Sequence, residues 1–411
     1  MNFIKTPVKG MPEKSPNQMI LREYVIRKIK DTYKTFGFML IETPLIEHIE
    51  NLTGKMGGEN EQLIFKILKR GEKLKEATDI NDMCDSGLRY DLTLPLARFY
   101  ANNMDSLPVP FKALQIGESF RADRPQKGRF RQFTQCDIDI LADETNLAEI
   151  ELISATVNML SVLNIKNIKV RINDRAILKA MAKSCNFPEE MLDMIYITLD
   201  KMDKIGLDGV KNALVELGLN NDDVEKYRKY FDGEKENILC DQKLANSLKG
   251  FIGENVIDNL NEIISSTRQL IDEKTCKIVF DATLVRGMSY YTGPIFEIEL
   301  EGYNLSVAGG GRYDNMIVKY ISKNVCACGF SIGLERILSV ISENNLIDIQ
   351  NDGNIAYLVP KNCSNDDKLE ILKKANQQRK EGKIVTVVNK SNNTKFQKET
   401  LKKFGYTEFV E

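Results

Sequence analysis

The stretch from 111 to 141 constrains the fold most. Residues 111–120 and 131–141 read as two strands joined by a polar turn. In the second strand Gln135, Asp137 and Asp139 share one face, while Cys136, Ile138 and Ile140 take the other. The turn crowds Arg121, Arg124, Lys127, Arg129 and Arg131 together, with Pro125 and Gly128 as turn formers. Guanidinium forks bind phosphate oxygens in pairs, and such a cluster neutralises a triphosphate. Carboxylates and an amide on a sheet face beside it suit an amphoteric ligand. A solvent-exposed hairpin of mixed charge would show the same pattern.

The rest of the chain narrows the chemistry. Its 411 residues are 42% apolar and 28% charged, which excludes disordered and fibrous classes. Roughly two or three domains are expected. Formal net charge is −2, so a polyanion needs a local basic patch. The N-terminal stretch has no signal-peptide core, and no apolar run approaches membrane-spanning length, so a cytoplasmic protein without a membrane partner is expected. The eight cysteines include no C-x-x-C pair and read as reduced, mostly buried thiols. Cys326 and Cys328 would share a strand face. His48, the single histidine, reads as a surface residue. Histidine-rich metal sites and most Ser-His-Asp or Cys-His schemes are thereby removed.

Periodicity sets the remaining elements. Leu21, Val25, Ile29, Tyr33 and Phe36 mark a helix over 17–36, ended by Gly37 and followed by a strand into Thr43-Pro44. Residues 88–93 alternate as a strand, and 145–163 read as a helix. From about 176 to 272 the chain is helix-rich and charged, an apparent insertion. Strand character returns at Lys277–Phe280. A hairpin then places Ile295–Leu300 and Leu305–Val307 around the turn Glu301-Gly302-Tyr303-Asn304, closed by Gly309-Gly310-Gly311. Residues 329–341 read as a strand, a glycine and a helix. After Gln350-Asn351-Asp352-Gly353, a strand at Ile355–Val359, a helix over 364–381, a buried strand at Ile384–Val388 and a helix over 394–404 make a small α/β unit, with a possible third strand at Glu408–Val410. The expected domains are 1–175 and 276–345 for the two parts of one body, 176–275 for the helical insertion and 351–411 for the α/β unit. That last unit carries more Lys and Arg than Asp and Glu. An anionic partner and a merely solvated surface both fit.

Four further segments carry candidate chemistry. In Leu88–Thr93, Asp91 and Thr93 on one strand face suit a cationic amine, although a charged edge strand reads alike. In Leu284–Ile298, Arg286 precedes Tyr290 and Tyr291, a set that binds a phosphate and a planar ring, or packs at a core rim. In Ala308–Asp314 three glycines permit close backbone approach to a ligand, or a hinge. In Gly329–Leu338, Arg336 lies early in a helix, where it reaches over a sheet or pairs with Glu335 on the surface.

In this order the segments resemble the class II aminoacyl-tRNA synthetases, and within them the histidyl-tRNA synthetase family. Thr43-Pro44 looks like motif 1, Phe120–Ile140 like motif 2 and GFSIGLER like motif 3; LVRGMSYYTG and AGGGRYD look like the two histidine-specific motifs. The resemblance covers nearly the whole chain. It implies an α+β fold, with an antiparallel sheet flanked by helices, a helical insertion and a small C-terminal anticodon-binding-like domain. It implies activation of L-histidine by ATP and transfer of the histidyl group to the end of histidine tRNA, by a homodimer that does not engage DNA. Magnesium would arrive with ATP, and no dedicated all-protein metal site is implied. By the same resemblance Arg121 and Arg286 would be catalytic. Asp91, Leu92, Thr93, Gln135, Asp139, Tyr290 and Tyr291 would bind histidine, and Arg121, Asp123, Arg129 and Arg336 would bind ATP. Arg124 and Gln126 would meet the tRNA acceptor end.

Two departures stand out. Ser289 replaces an acidic residue before the tyrosine pair, which would weaken the support behind Tyr290. The C-terminal unit ends at Glu411, soon after its second helix, which implies a shortened domain and leaves anticodon reading open. The competing expectation is a non-catalytic, histidine-sensing paralogue such as the regulatory subunit of ATP phosphoribosyltransferase. The shortened C-terminus favours that paralogue and the full arginine set disfavours it. A tRNA-free adenylating enzyme is a third expectation, disfavoured by the basic turn.

Overall fold

The computed structural model describes residues 3–53, 58–79, 82–126, 128–231, 239–240, 242–286, 290–303, 305–349 and 353–411. Lys127, Ser289, Asn304 and 350–352, each given a place in the sequence reading, lie outside the described residues. The chain divides into two compact units, 1–13 with 25–346 and 14–24 with 347–411.

An eight-stranded sheet organises the first unit. Its spatial order is Met39–Ile41, Phe111–Phe120, Gln132–Leu141, Ala327–Gly333, Leu305–Arg312, Pro294–Leu300, Ile168–Asp174 and Cys276–Phe280. The six inner strands are antiparallel. Both edge strands pair in parallel, so the sheet is antiparallel through its centre and mixed at its edges. A parallel edge needs a crossover. The helix-rich stretch ending at Val256–Leu270 supplies one, between Ile168–Asp174 and Cys276–Phe280. That last helix packs on the helix Leu147–Val162 and on both strands it joins. The apolar face of Gln132–Leu141 is fully buried, with Cys136 and Ile138 at 0% exposure.

The helix Pro16–Thr35 opens with Ser15 and Gln18 exchanging backbone and side-chain bonds, Ser15 N to Gln18 Oε1 at 2.8 Å. Its apolar stripe buries Val25, Ile29 and Tyr33. Gly37, at φ 82, ends it as expected.

Residues 88–93 are not a strand. The strand stops at Leu88, and a helix begins at Thr93. The Asp91 carboxylate accepts from Leu94 N at 3.3 Å, and Pro95 sits in the first turn, so local capping wins over alternation. Buried Arg89 fixes this loop by donating to the carbonyls of Thr43 and Glu118, each at 2.7 Å. The three glycines at 309–311 do not close a hairpin but continue the strand Leu305–Arg312. Gly310 must stay bare, because a Cβ there would lie 2.0 Å from Gly329 O across the ladder.

The second unit is a parallel three-stranded sheet in the order Val385–Asn389, Asn354–Val359, Tyr406–Val410. Helices Asn365–Lys380 and Thr394–Lys402 make the crossovers. Ile355, Tyr357, Ala375 and Val385 form its core. The strand expected to be buried at Ile384–Val388 is an edge strand instead, with Ile384 60% exposed and only Val385 of that run buried.

Candidate active site

The polar face of Gln132–Leu141 forms a wall of one cavity. Gln135, Asp137 and Asp139 line it and are nearly closed to water. Burial disfavours the charged form of a carboxyl. Asp139 is accordingly raised to about 7, even though the Tyr313 hydroxyl donates to its Oδ1 at 2.6 Å and lowers it. Asp137 stands well above the ordinary range through burial and then through Asp139. Asp91 is raised by burial, with Arg121 pulling the other way. Gln135 Nε2 donates to Ser331 Oγ at 2.9 Å and to Asp137 Oδ2 at 3.3 Å. Asp137 Oδ1, Asp139 Oδ2 and Gln135 Oε1 are buried acceptors without a protein donor. Such orphaned acceptors cost free energy unless a donor-rich ligand satisfies them.

Space for this wall comes from Gly329, whose Cβ would lie 1.9 Å from Asp139 Oδ1. The registers Asp139↔Gly329 and Asp137↔Ser331 set bare backbone and a hydroxyl beside the two carboxylates. Aromatic rings close this end. The Tyr290 centroid lies 4.7 Å from Tyr291 and 6.0 Å from Tyr313.

Guanidinium groups line the same cavity. Arg121 lies over the Tyr90 ring at 4.1 Å and near Phe133 at 5.1 Å, with Nε donating to Tyr90 O at 3.1 Å. Arg286 has a left-handed backbone at φ 54, and its Nη1 donates to Glu297 Oε2 at 2.5 Å. Burial opposes its charge, but Glu297 and Tyr291 outweigh that, and its pKa ends above the usual value. Its guanidinium lies flat over Gly309, where a Cβ would come within 2.1 Å. Arg336 donates from Nη1 to Ser306 O at 2.6 Å. Its pKa is lowered by burial and then by Arg129, with Arg286 and Arg121 adding to the repulsion. Crowded cations on one wall lower their mutual repulsion by taking up a polyanion.

The sequence-derived residues Asp91, Thr93, Arg121, Asp123, Arg129, Gln135, Asp139, Arg286, Tyr290, Tyr291 and Arg336 all line this cavity. Thr93 arrives there from a helix N-terminus, not from a strand face. Leu92 does not line it: the side chain is buried and its carbonyl accepts from Gln115 Nε2 at 3.0 Å. Arg124 and Gln126 are exposed outside the wall, and Gln126 borders a separate surface groove with 7–12, Pro125 and Phe130. His48 is exposed on a short strand, and all eight cysteines are free. Asp137 is signalled by the same alternation that exposes Asp139. Tyr313 lies inside AGGGRYD, but its bond to Asp139 spans 174 positions and has no local signal. Among the described residues no group of three or more His, Cys, Asp or Glu side chains suits a metal ion, and no helix is long and apolar enough to cross a membrane.

Comparison with known proteins addresses the same region. A family model described as Histidyl-tRNA synthetase matches residues 10–337. The histidine–tRNA ligase of Leifsonia xyli subsp. xyli is 42% identical over 82% of this chain and 80% of its own. That of Bacteroides fragilis (strain YCH46) is 36% identical over 82% of this chain and 76% of its own. Among solved structures, histidyl-tRNA synthetase from Nostoc sp. PCC 7120 superposes with a TM-score of 0.77 at 26% identity, covering 98% of this chain and 90% of that one. An ATP phosphoribosyltransferase regulatory subunit/histidyl-tRNA synthetase from Bacillus halodurans C gives a TM-score of 0.78 at 19% identity, over 100% and 98%, a likeness of fold alone.

Proposed function

The chain belongs to the histidyl-tRNA synthetase family, and we propose a division of labour in its cavity for the two reactions of a histidine–tRNA ligase. In the first, the histidine carboxylate attacks the α-phosphorus of ATP and pyrophosphate leaves. In the second, a hydroxyl of the terminal adenosine of histidine tRNA attacks the acyl carbon and AMP leaves. Neither step requires a histidine side chain from the protein. In-line displacement at phosphorus depends on positioning and charge neutralisation.

The observation that carries this reading is that one cavity gathers orphaned buried acceptors and a set of guanidinium groups. Asp91, Thr93 and Gln135 receive the α-ammonium group. Asp139, held by Tyr313, accepts from the imidazole, with Tyr290 and Tyr291 around the ring. Arg121 and Arg286 meet the carboxylate and α-phosphate, where charge develops. Arg336 and Arg129 take the outer phosphates, with Asp123 fixing Arg129 at 3.3 Å. Magnesium comes as part of the ATP substrate. Exposed Arg124 and Gln126 face the acceptor end of the tRNA. A histidine sensor has no use for four phosphate-binding arginines, so catalysis is favoured over the regulatory reading.

Assembly as a homodimer fits the edge strand. Leu40, Leu45 and Ile46 around Thr43-Pro44 are 55%, 46% and 52% exposed, an apolar strip that a second copy would cover. The place of work is the cytoplasm, where tRNA is charged. Incubating the purified protein with ATP, magnesium, labelled histidine and total tRNA tests the whole reading. Label entering histidine tRNA alone supports it; no transfer to any tRNA sinks it.

A further inference from the structure

A row of alternating charge crosses the sheet behind Arg286. Glu297 is directly opposite Gly309 on one side, the residue on which the Arg286 guanidinium lies. On its other side Glu297 is directly opposite Arg171. Cross-strand partners share a face, so the three charges line up across three strands. Arg286 Nη1 meets Glu297 Oε2 at 2.5 Å, and Arg171 Nη1 stands 3.7 Å from Glu297 Oε1. Arg171 is held from beyond by Asp281, Nε to Oδ2 at 2.6 Å, and by Thr283 Oγ1 at 3.2 Å.

The row does not stop in the sheet. Arg171 Nη1 is 3.7 Å from Asp203 Oδ2, and Asp203 belongs to the helix Met202–Glu216 of the helix-rich stretch. Asp200, at the end of the preceding helix, feels Glu297 and Arg286 as well. Arg171 and Asp281 are closed to water, at 11% and 2% side-chain exposure, so their charges are little screened.

We infer that Arg171 is a positioning residue for adenylate formation: it shares the Glu297 carboxylate, and so sets how firmly Glu297 holds Arg286 away from the α-phosphate. Asp203 ties the same guanidinium to the helix-rich stretch, and makes the seating of that stretch bear on Arg286. This rests on the reading of Arg286 as an α-phosphate ligand. Without Arg171, Glu297 turns its whole charge on Arg286 and competes with the phosphate for it.

A double-mutant cycle tests the row, because coupled residues lose less together than the sum of their separate losses. The outer pair is removed as Arg171→Met/Asp281→Asn, so that neither charge is stranded in the sheet. It is combined with Glu297→Gln, and kcat and KM of histidine-dependent ATP–pyrophosphate exchange are read with the melting temperature. The expected result is a kcat about ten-fold lower in the outer pair with KM for histidine held, and less than about a two-fold further change when the pair is added to Glu297→Gln. Losses that multiply, or an unmoved kcat in the outer pair, overturn the inference while leaving the ligase reading intact. Wild-type protein without exchange overturns both. Asp203→Asn, at a side chain 68% exposed, keeps the test open if the outer pair fails to fold. It leaves more of the Arg171 guanidinium to Glu297, so it should raise kcat about two- to three-fold, and lose that effect in Glu297→Gln. No change on Asp203→Asn overturns the link to the helix-rich stretch.

Discussion

Asp139 shows how one buried carboxyl ties stability to recognition. Folding raises it from the ordinary 3.8 to about 7, through burial first, with Tyr313 acting against the shift. Between those values the unfolded chain releases a proton that the folded protein keeps, so the group costs stability as pH rises through that window. Asp139→Asn removes the cost. Its melting temperature should exceed that of the wild type at pH 7.5, with the gap closing at pH 4.5; an equal gap at both pH values contradicts the account. The same variant should raise KM for histidine by about ten-fold or more, since a donor of the imidazole then meets an amide that also presents N–H groups. Arg286→Gln removes the cation proposed to meet the α-phosphate. It should lower kcat of exchange by roughly 10²–10³-fold with the melting temperature little changed.

Adjacent positions in one strand serve separate ends. A methyl on Gly309 would lie 2.1 Å from the Arg286 guanidinium, a side chain that can move. A methyl on Gly310 would lie 2.0 Å from Gly329 O, a backbone atom that cannot move without parting the ladder. Gly309→Ala should therefore cost about a hundred-fold in kcat and little stability, because it displaces the cation proposed to meet the α-phosphate. Gly310→Ala should cost on the order of 3 kcal/mol of stability or more, read by denaturant unfolding. The reverse pattern would contradict this placement. At this scale the sequence is legible where one force dominates. Alternation in 132–141 is readable because one face is buried core and the other a polar wall. Residues 88–93 alternate too, yet the Asp91 cap and Pro95 start a helix there. Gly309–Gly311 resemble a turn because glycine composition alone cannot separate a bend from a strand pressed against its neighbours. The Tyr313–Asp139 bond and the Glu297–Arg171 row arise from pairing across strands distant in sequence, which no local pattern records.

In the first unit an exposed apolar strip runs from the edge strand of the cavity-bearing sheet, at Leu40, on to Ile46 in a neighbouring short strand. The exposed Leu40 and Ile46 predict a homodimer by sedimentation, and Leu40→Asp with Ile46→Lys should shift it toward monomer. A wild-type monomer at micromolar concentration contradicts that assembly. The central claim is narrower: the cavity binds histidine at its acceptor-rich end and ATP at its guanidinium end, and joins them. ATP–pyrophosphate exchange measured with each amino acid in turn, without tRNA, tests it most directly. The account predicts exchange that depends on histidine and on magnesium and falls to background with the other amino acids. Exchange absent with histidine, or equal across amino acids, would contradict it.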